Sequence, residues 1–424
     1  MALANNPQLL IADEPTTALD VTVQREILDL LDTLRRELEM AMILITHDLG
    51  VVSDRTDNVV VMFRGDTMET VSTANLFDDD RHPYTLSLRD AMPDIAKARG
   101  GHPDGAAEDA HGPLAHLRGD DSMIRVEHLV VDYPGPRRST FRAVDDVSFD
   151  VMAGETLGIV GESGCGKSTT AKSIMQIPAP SSGTIRYGGT DLASLDKSGL
   201  RELRTDLQLI FQDPISALNP RRSVWDILRE GVEIWGTQAK WTDERLVGLL
   251  EQVGIDPQHR DRKPFEFSGG QCQRISIARA LALDPKVLIC DEPVSALDVS
   301  VQAQVLELLE ELKAEHELTM LFISHDLAVV RNIADRVMVM YFGRVVEIGD
   351  TDSIFERAEH PYTKRLLSAV PGLEGAAGGI ALAGEEPGDV FWQLDGCTHG
   401  PDDPAMLTRR GPDHFVACHH TTTD

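Results

Sequence analysis

Residues 155–169 read ETLGIVGESGCGKST, an apolar run that passes directly into a glycine-rich loop. A strand, a glycine loop and a following helix form the context that a P-loop requires. The glycines let successive backbone N–H groups turn inward around phosphate, and the helix N-terminus adds the positive end of its dipole. A glycine-rich turn that binds no nucleotide is the alternative. The predicted phosphate-binding residues are Gly161, Glu162, Ser163, Gly164, Cys165, Gly166, Lys167, Ser168 and Thr169, with Lys167 at the β- and γ-phosphates and the Ser168 hydroxyl on Mg²⁺.

A second buried strand is predicted at residues 287–290, where VLIC leads directly into Asp291 and Glu292. Two adjacent carboxylates at the end of a buried strand are costly to leave unpaired, so we expect a metal or a hydrogen-bond network to hold them. Asp291 fits the Mg²⁺ shell, and Glu292 fits a general base that activates water. A structural ion pair is the alternative interpretation.

Three further segments carry polar groups that suit nucleotide chemistry. Residues 268–271 (SGGQ) open a helix whose exposed N–H groups predict a second anion site, although a plain helix cap explains them equally well. Two phosphate sites face one nucleotide only when they come from different domains. His325 follows the apolar run MLFI and suits a contact to a γ-phosphate or to the lytic water, and Gln212 follows DLQLIF and suits the metal. Each of these two residues means little alone.

The order of the segments decides their meaning. Along residues 123–371 the chain presents a P-loop, a glutamine after a strand, SGGQ, a strand ending in Asp-Glu, SALD (295–298) and a histidine. This set resembles the ATP-binding cassette (ABC) family. The resemblance implies an α/β fold of the P-loop NTPase class with a helical subdomain. It also implies ATP and Mg²⁺ as cofactors and Mg²⁺-dependent ATP hydrolysis.

The resemblance assigns roles to individual residues. Glu292, His325 and Gln212 become the catalytic residues, with Gln212 as the glutamine of the coupling loop and a metal contact beside Ser168 and Asp291. Asp298 lies in the loop across the dimer seam. The residues implied to bind a partner's nucleotide are Ser268, Gly269, Gly270 and Gln271.

The resemblance also implies an aromatic residue that stacks on the adenine ring. Tyr133 is chosen as the stacking residue for its distance before the P-loop, with Phe141 as the alternative.

The chain departs from the family pattern at two positions. Cys272 stands where the family usually has a larger polar residue, and Phe267 replaces the common leucine before SGGQ. Neither is expected to touch the phosphate-binding atoms, so hydrolysis is still expected.

An internal repeat divides the chain. Residues 2–93 match residues 280–371 without a gap, so that LLIADEPTTALDVTVQ recurs as VLICDEPVSALDVSVQ and HPYT recurs unchanged. The first copy keeps Asp13, Glu14, Asp20 and His47 but has no P-loop, coupling glutamine or SGGQ. We therefore expect it not to bind ATP alone. The predicted divisions are a partial first cassette at 1–93, a linker at 94–122, a complete cassette at 123–371, and a flexible stretch with a tail at 372–424.

Two segments point to the kind of transporter. Residues 211–221 (FQDPISALNPR) and 360–371 (HPYTKRLLSAVP) look like the branch that drives uptake of dipeptides, oligopeptides, glutathione or nickel. We expect these segments to shape the interface with the membrane subunits rather than to touch nucleotide. Peptide import is the favoured interpretation, with nickel or glutathione as alternatives. The implied partners are permease subunits, a second nucleotide-binding domain and, indirectly, an extracytoplasmic solute-binding protein.

Composition limits the other possibilities. The formal charge of −29 would repel a nucleic-acid backbone, and no Lys/Arg cluster offsets it, so a soluble ABC protein acting on ribosomes or DNA is disfavoured. Apolar runs are strand-sized and far short of the ~20 residues that span a bilayer, and residues 1–7 show no secretory signal. A peripheral location on the cytoplasmic face of the cell membrane is expected.

The five cysteines are scattered and odd in number, which argues against a disulfide framework. The tail carries Cys397 and Cys418, and two cysteines cannot complete a Cys₄ cluster, so we expect no iron–sulfur centre. Zinc binding by these cysteines with His399, His419 and His420 is a weaker possibility, because the spacing matches no regular zinc module.

Overall fold

The structure is a computed structural model. The residues that it describes are 2–5, 7–16, 21–92, 117–118, 122–135, 139–236, 240–370, 392–394, 397, 406–411 and 413–420. The predicted linker at 94–122 lies almost wholly outside them, as does most of the region 372–424. Asp20, His399 and the side chain of His420 also lie outside the description.

The secondary-structure elements follow the repeat. The first copy contains β1 (Leu9–Asp13), α1 (Val21–Glu37), β2 (Ala41–Ile45), α2 (Leu49–Arg55), β3 (Asn58–Phe63), β4 (Asp66–Ser72) and α3 (Pro83–Asp90). The second copy and its front contain β5 (Ile124–Pro134), β6 (Thr140–Val151), β7 (Thr156–Val160), α4 (Lys167–Ile174), β8 (Ser182–Tyr187), β9 (Thr190–Asp191), α5 (Lys197–Asp206), β10 (Leu207–Ile210), α6 (Pro214–Ala217), α7 (Val224–Trp235), α8 (Asp243–Gln252), α9 (Gly269–Leu281), β11 (Val287–Asp291), α10 (Val299–His316), β12 (Thr319–Ile323), α11 (Leu327–Ile333), β13 (Arg336–Tyr341), β14 (Arg344–Asp350), α12 (Thr351–Arg357) and α13 (Pro361–Ser368). The tail contains β15 (Trp392–Gln393), β16 (Leu407–Gly411), β17 (His414–Ala417) and β18 (His419–His420).

An eight-stranded sheet positions the candidate site. Its strand order is β10-β11-β12-β7-β13-β14-β17-β16, in which the first five strands are parallel and the last three pair antiparallel. The strands β7, β11 and β12 are buried along their whole length, as expected of parallel strands covered on both faces. Their carboxyl ends meet at one edge of the sheet, where open α/β folds bind ligands. The predicted α/β fold is confirmed.

Two hydrophobic cores flank this sheet. One core lies between the sheet and the helices α7 to α11. These helices include the helical subdomain that the resemblance implied. The other lies between the sheet and the antiparallel strands β5, β6 and β8. None of the helices that the structure describes is long and apolar enough to cross a membrane.

The first copy forms smaller sheets. Strand β1 pairs with β2 in parallel and β3 pairs with β4 antiparallel, and these remain separate two-stranded sheets among the described residues. Apolar side chains on them are therefore exposed: Ile11 is 61% exposed, whereas its counterpart Ile289 in the second copy is 0% exposed. The first copy contacts the second through Arg25, which donates to the Ser368 carbonyl at 2.8 Å.

A buried ion cluster joins the tail to the cassette sheet. The Arg336 guanidinium lies 3.2 Å from Asp150, 3.3 Å from Glu155 and 3.3 Å from Asp413 of the tail. Burial acts to lower the pKa of Arg336, but the three carboxylates outweigh it and hold the pKa above its ordinary value. The cluster therefore depends on a permanently charged arginine.

We predict that Arg336→Met destabilises the protein by about 3–5 kcal/mol, because it removes one of the two arginines, Arg336 and Arg118, that the structure describes beside buried Asp150 and Glu155. The control is Arg344→Met, which removes an exposed pair with Asp145 and should cost about 0–1 kcal/mol. Urea unfolding followed by tryptophan fluorescence measures both. Equal shifts of the two midpoints would show that the buried cluster contributes no more than a surface pair.

Candidate nucleotide-binding site

The glycine loop joins β7 to α4 under tight backbone constraints. Gly161 has φ of 146°, and a Cβ there would lie 2.2 Å from the Met340 carbonyl oxygen. Gly166 has φ of 103°, and its Cβ would lie 2.5 Å from the Ala143 carbonyl oxygen. Side chains are excluded at both positions because the loop backbone packs directly against the neighbouring strands β13 and β6.

Lys167 is buried at the start of α4 and reaches back over this loop. Its Nζ donates to the carbonyl oxygens of Gly161 at 2.7 Å and Glu162 at 3.0 Å. The ammonium group is thus held inside the loop, where a phosphate would lie between the loop amides and the helix N-terminus. This arrangement suits the predicted phosphate contact.

Two of the three predicted metal ligands, Ser168 and Asp291, are adjacent, whereas the side-chain amide of the third, Gln212, donates to Glu292. The Ser168 hydroxyl donates to Asp291 Oδ1 at 2.6 Å, and Lys172 Nζ lies 2.8 Å from Asp291 Oδ2. A hydroxyl beside a carboxylate is an oxygen donor set that suits Mg²⁺. Sequence analysis missed Lys172, although its position four residues after Ser168 on one helix face was a usable signal.

Glu292 lies between the two other residues that are predicted to be catalytic, Gln212 and His325. Its Oε2 accepts a hydrogen bond from Gln212 Nε2 at 2.7 Å and lies 3.3 Å from His325 Nδ1. Burial acts to raise the pKa of Glu292, but the hydrogen bond and charge of His325 together with the charge of Lys167 outweigh it and lower the pKa below its ordinary value. The carboxylate is therefore ionised at neutral pH, as a general base must be.

The SGGQ segment and Asp298 form helix caps. Ser268 Oγ accepts from the Gln271 N–H at 3.4 Å, and Gln271 Oε1 accepts from the Ser268 N–H at 3.0 Å, which completes a capping box on α9. Asp298 caps α10 through the Val301 N–H at 3.1 Å. These contacts lie within each segment, so the implied role of both at a partner's nucleotide stays a prediction.

The two candidate stacking aromatics lie side by side. Tyr133 on β5 and Phe141 on β6 are direct cross-strand partners. Tyr133 is 36% exposed and Phe141 is 60% exposed, so either ring has a free face. The choice of Tyr133 over Phe141 stays a prediction.

The HPYT segment contributes a contact that sequence analysis did not anticipate. The Tyr362 hydroxyl accepts a hydrogen bond from the Glu162 N–H at 2.8 Å and so helps to hold the backbone of the glycine loop in place. Buried Glu347 holds the segment through the N–H groups of Glu359 at 2.8 Å and His360 at 3.2 Å. The segment at residues 360–363 therefore contacts the glycine loop through Tyr362, in addition to the role that is expected for it at the interface with the membrane subunits.

The first copy repeats the acid–histidine pair without the loop. His47 Nδ1 lies 3.2 Å from Glu14 Oε1, and both Glu14 and Glu292 have positive φ, of 42° and 49°. Both members of the pair are about two-fifths exposed in the first copy, whereas His325 and Glu292 are largely buried. The pair is thus formed by local backbone geometry and does not by itself require a nucleotide site.

We predict that Gly166→Ala destabilises the loop more than Gly164→Ala does. A side chain at Gly164 meets nothing within 4 Å, so it should cost only the left-handed strain of about 1–2 kcal/mol. At Gly166 the added carbon also collides with the Ala143 carbonyl. Thermal unfolding and titration with a fluorescent ATP analogue should show a larger loss for Gly166→Ala in both. Similar losses would contradict the proposed close approach.

Two family models match parts of this chain. The ABC transporter family matches residues 144–295, and the family "Oligopeptide/dipeptide transporter, C-terminal region" matches twice, at residues 68–113 and 346–401. The second family therefore recognises both copies of the repeat. A solved structure of cbiO1 from Clostridium perfringens is 29% identical, with a TM-score of 0.49, and the match covers 58% of this chain and 95% of that one.

Curated relatives match nearly the whole chain. The glutathione import ATP-binding protein GsiA of Pectobacterium atrosepticum is 44% identical, and the match covers 99% of this chain and 70% of that protein. The protein of the same name from Salmonella paratyphi A is 43% identical, with 98% and 69% covered. The resemblance inferred from the motifs is confirmed, and the chain belongs to the family of ABC transporter ATP-binding proteins.

Proposed function

We propose that residues 123–371 hydrolyse ATP with Mg²⁺ and that this hydrolysis energises import of short peptides across the cell membrane. The observation that carries the proposal is the ionised Glu292 carboxylate, held by Gln212 and His325 beside the Ser168–Asp291 pair. A base, a metal-ligand pair and a phosphate loop meet at one sheet edge. That combination supports phosphoryl transfer to water.

Each residue group has a defined task in this mechanism. The loop amides and Lys167 bind and orient the β- and γ-phosphates. Ser168 and Asp291 would hold Mg²⁺, which supplies positive charge beside the phosphates when bound. Glu292 accepts the proton of the attacking water, and Gln212 and His325 keep its carboxylate aimed at that water. Lys172 Nζ pairs with the second oxygen of Asp291 and so helps to fix the orientation of that carboxylate.

The transported substrate is proposed from the family and the relatives. The C-terminal region of the oligopeptide/dipeptide transporters is present in both copies, and the relatives are named for import of glutathione, itself a tripeptide. We favour di- and oligopeptides as the substrate class, with glutathione as a member of it. Nickel import is the alternative.

The implied partners follow from the same assignment. Phe211 and Ile215, in the FQDPISALNPR segment next to Gln212, are 41% and 56% exposed. Exposed apolar side chains beside a catalytic glutamine support docking of a membrane permease subunit there. We propose a peripheral location on the cytoplasmic face, a second nucleotide-binding domain as partner, and an extracytoplasmic solute-binding protein that delivers substrate to the permease.

We predict that Glu292→Gln keeps ATP binding but lowers turnover by roughly 10²- to 10⁴-fold, the contribution of a positioned base. Glu14→Gln is the matched control, because Glu14 pairs with His47 in the same way but has no glycine loop beside it. Release of phosphate measures turnover, and equilibrium dialysis measures binding. Wild-type turnover by Glu292→Gln, or an equal loss in Glu14→Gln, would remove Glu292 from its role.

The same two variants test the transport assignment in cells that depend on this chain. Uptake of a labelled dipeptide and of glutathione should be lost with Glu292→Gln and kept with Glu14→Gln. Uptake of nickel should be the same in both strains. Loss of nickel uptake with normal peptide and glutathione uptake would contradict peptide import while leaving the ATPase assignment intact.

A further inference from the structure

The tail brings three metal-binding side chains together away from the nucleotide site. The ligand atoms of Cys397, Cys418 and His419 all lie within 4.8 Å of one another. His419 Nδ1 is 3.2 Å from Cys418 Sγ and 4.0 Å from Cys397 Sγ. Cys418 and His419 are buried and Cys397 is half-buried. Two thiols and an imidazole thus share one small, largely dry volume.

Backbone pairing, rather than chance proximity, creates this grouping. Strand β15 pairs with β18 antiparallel, and the Leu394 N–H donates to the Cys418 carbonyl at 2.7 Å. The Cys397 N–H then donates to the Leu394 carbonyl at 2.9 Å, which turns the chain so that Cys397 returns toward Cys418. Residues that are distant in sequence are held together by a continuous hydrogen-bonded path.

We propose that Cys397, Cys418 and His419 bind a zinc ion. Thiolate and imidazole ligands suit zinc, whereas Mg²⁺ and Ca²⁺ prefer the oxygen ligands that this group lacks. Iron–sulfur clusters are held by four cysteine thiolates or, in Rieske centres, by two cysteines and two histidines, whereas this group has two thiols and one imidazole. Zinc is usually four-coordinate, which leaves one position for water or for one further side chain.

One backbone hydrogen bond to Cys418 suits a sulfur ligand of a metal. The Met406 N–H donates to Cys418 Sγ at 3.3 Å, and the Cys418 N–H donates to the Met406 carbonyl at 2.8 Å. An N–H group aimed at sulfur stabilises negative charge there and fixes the orientation of the ligand. The Cys418 sulfur therefore has the Met406 N–H as an outer hydrogen-bond partner, as ligands in metal sites commonly do.

The position of the group indicates what the metal does. Strand β17 continues the cassette sheet by pairing with β14, and its His414 Nε2 lies 2.7 Å from buried Glu347. Cys418 and His419 follow β17 directly, and the metal would tie Cys397 to them. The ion therefore fastens residues 392–397 to the part of the tail that is already joined to the sheet.

The test uses the full chain, purified under reducing conditions without added chelator. Zinc measured by elemental mass spectrometry should be close to one ion per chain. Cys397→Ser should weaken zinc binding by more than the roughly 10- to 100-fold that loss of an outer partner costs. The matched control is Cys290→Ala, which removes a buried thiol in β11 and should keep the ion. A circular dichroism spectrum like that of the wild type shows that the Cys397→Ser chain is folded.

Cobalt substitution gives an independent readout. Co²⁺ bound to the wild type should give thiolate-to-metal charge-transfer absorption in the near ultraviolet, weakened in Cys397→Ser and unchanged in Cys290→Ala. Zinc far below one ion per chain, or equal zinc and cobalt signals in the folded Cys397→Ser chain, would overturn the proposal. So would mass-spectrometric detection of a Cys397–Cys418 disulfide in the wild-type protein as isolated under the reducing conditions.

Discussion

The close approach of the glycine loop to two neighbouring carbonyls is the constraint on which the candidate site depends. Gly161 lies against Met340 of β13 and Gly166 lies against Ala143 of β6, with no room for a side chain at either contact. The loop is therefore clamped between the central sheet and the antiparallel sheet. Because β7 lies beside β12, and β12 beside β11, the clamped loop faces the carboxylates at the end of β11. A looser loop would leave Lys167 and Ser168 without a fixed relation to Asp291.

A comparison of the two copies shows which features of the site form from a short stretch of sequence and which need the complete sheet. The left-handed backbone at the glutamate of the Asp-Glu pair and the acid–histidine contact recur in both copies, so short sequence and backbone geometry suffice to form them. Burial of that contact does not recur, because the strands of the first copy are not enclosed in a large sheet. Burial by the enclosing sheet acts to raise the pKa of Glu292, and His325 together with Lys167 of the glycine loop lowers it below its ordinary value. The site is thus a property of the complete cassette.

Much of the fold and of the candidate site could be predicted from sequence, and the features that could not be predicted have physical reasons. The P-loop, the Asp291–Glu292 pair and the approach of Gln212 and His325 are each encoded within a few residues of a strand end, so motif and spacing indicate them. Tyr362 could not be found that way, since its contact to Glu162 joins segments 200 residues apart. The addition of β16 and β17 to the sheet depends on a buried network of Arg336 with Asp413 and of Glu347 with His414, and no short pattern encodes such pairing. The grouping of Cys397 with Cys418 likewise depends on strand pairing rather than on spacing.

The central proposal is that the SGGQ of residues 268–271 acts on the nucleotide of another cassette, so that two cassettes are needed to complete one ATP site. Mixing Lys167→Ala chains with Ser268→Arg chains tests it most directly, since a mixed pair combines an intact loop with an intact SGGQ. Phosphate release should be nearly absent for each variant alone and should reappear in the mixture, and wild-type activity per molecule should rise with protein concentration. A mixture that stays inactive while the wild type hydrolyses ATP at a constant specific rate as a dilute, verified monomer would contradict this account.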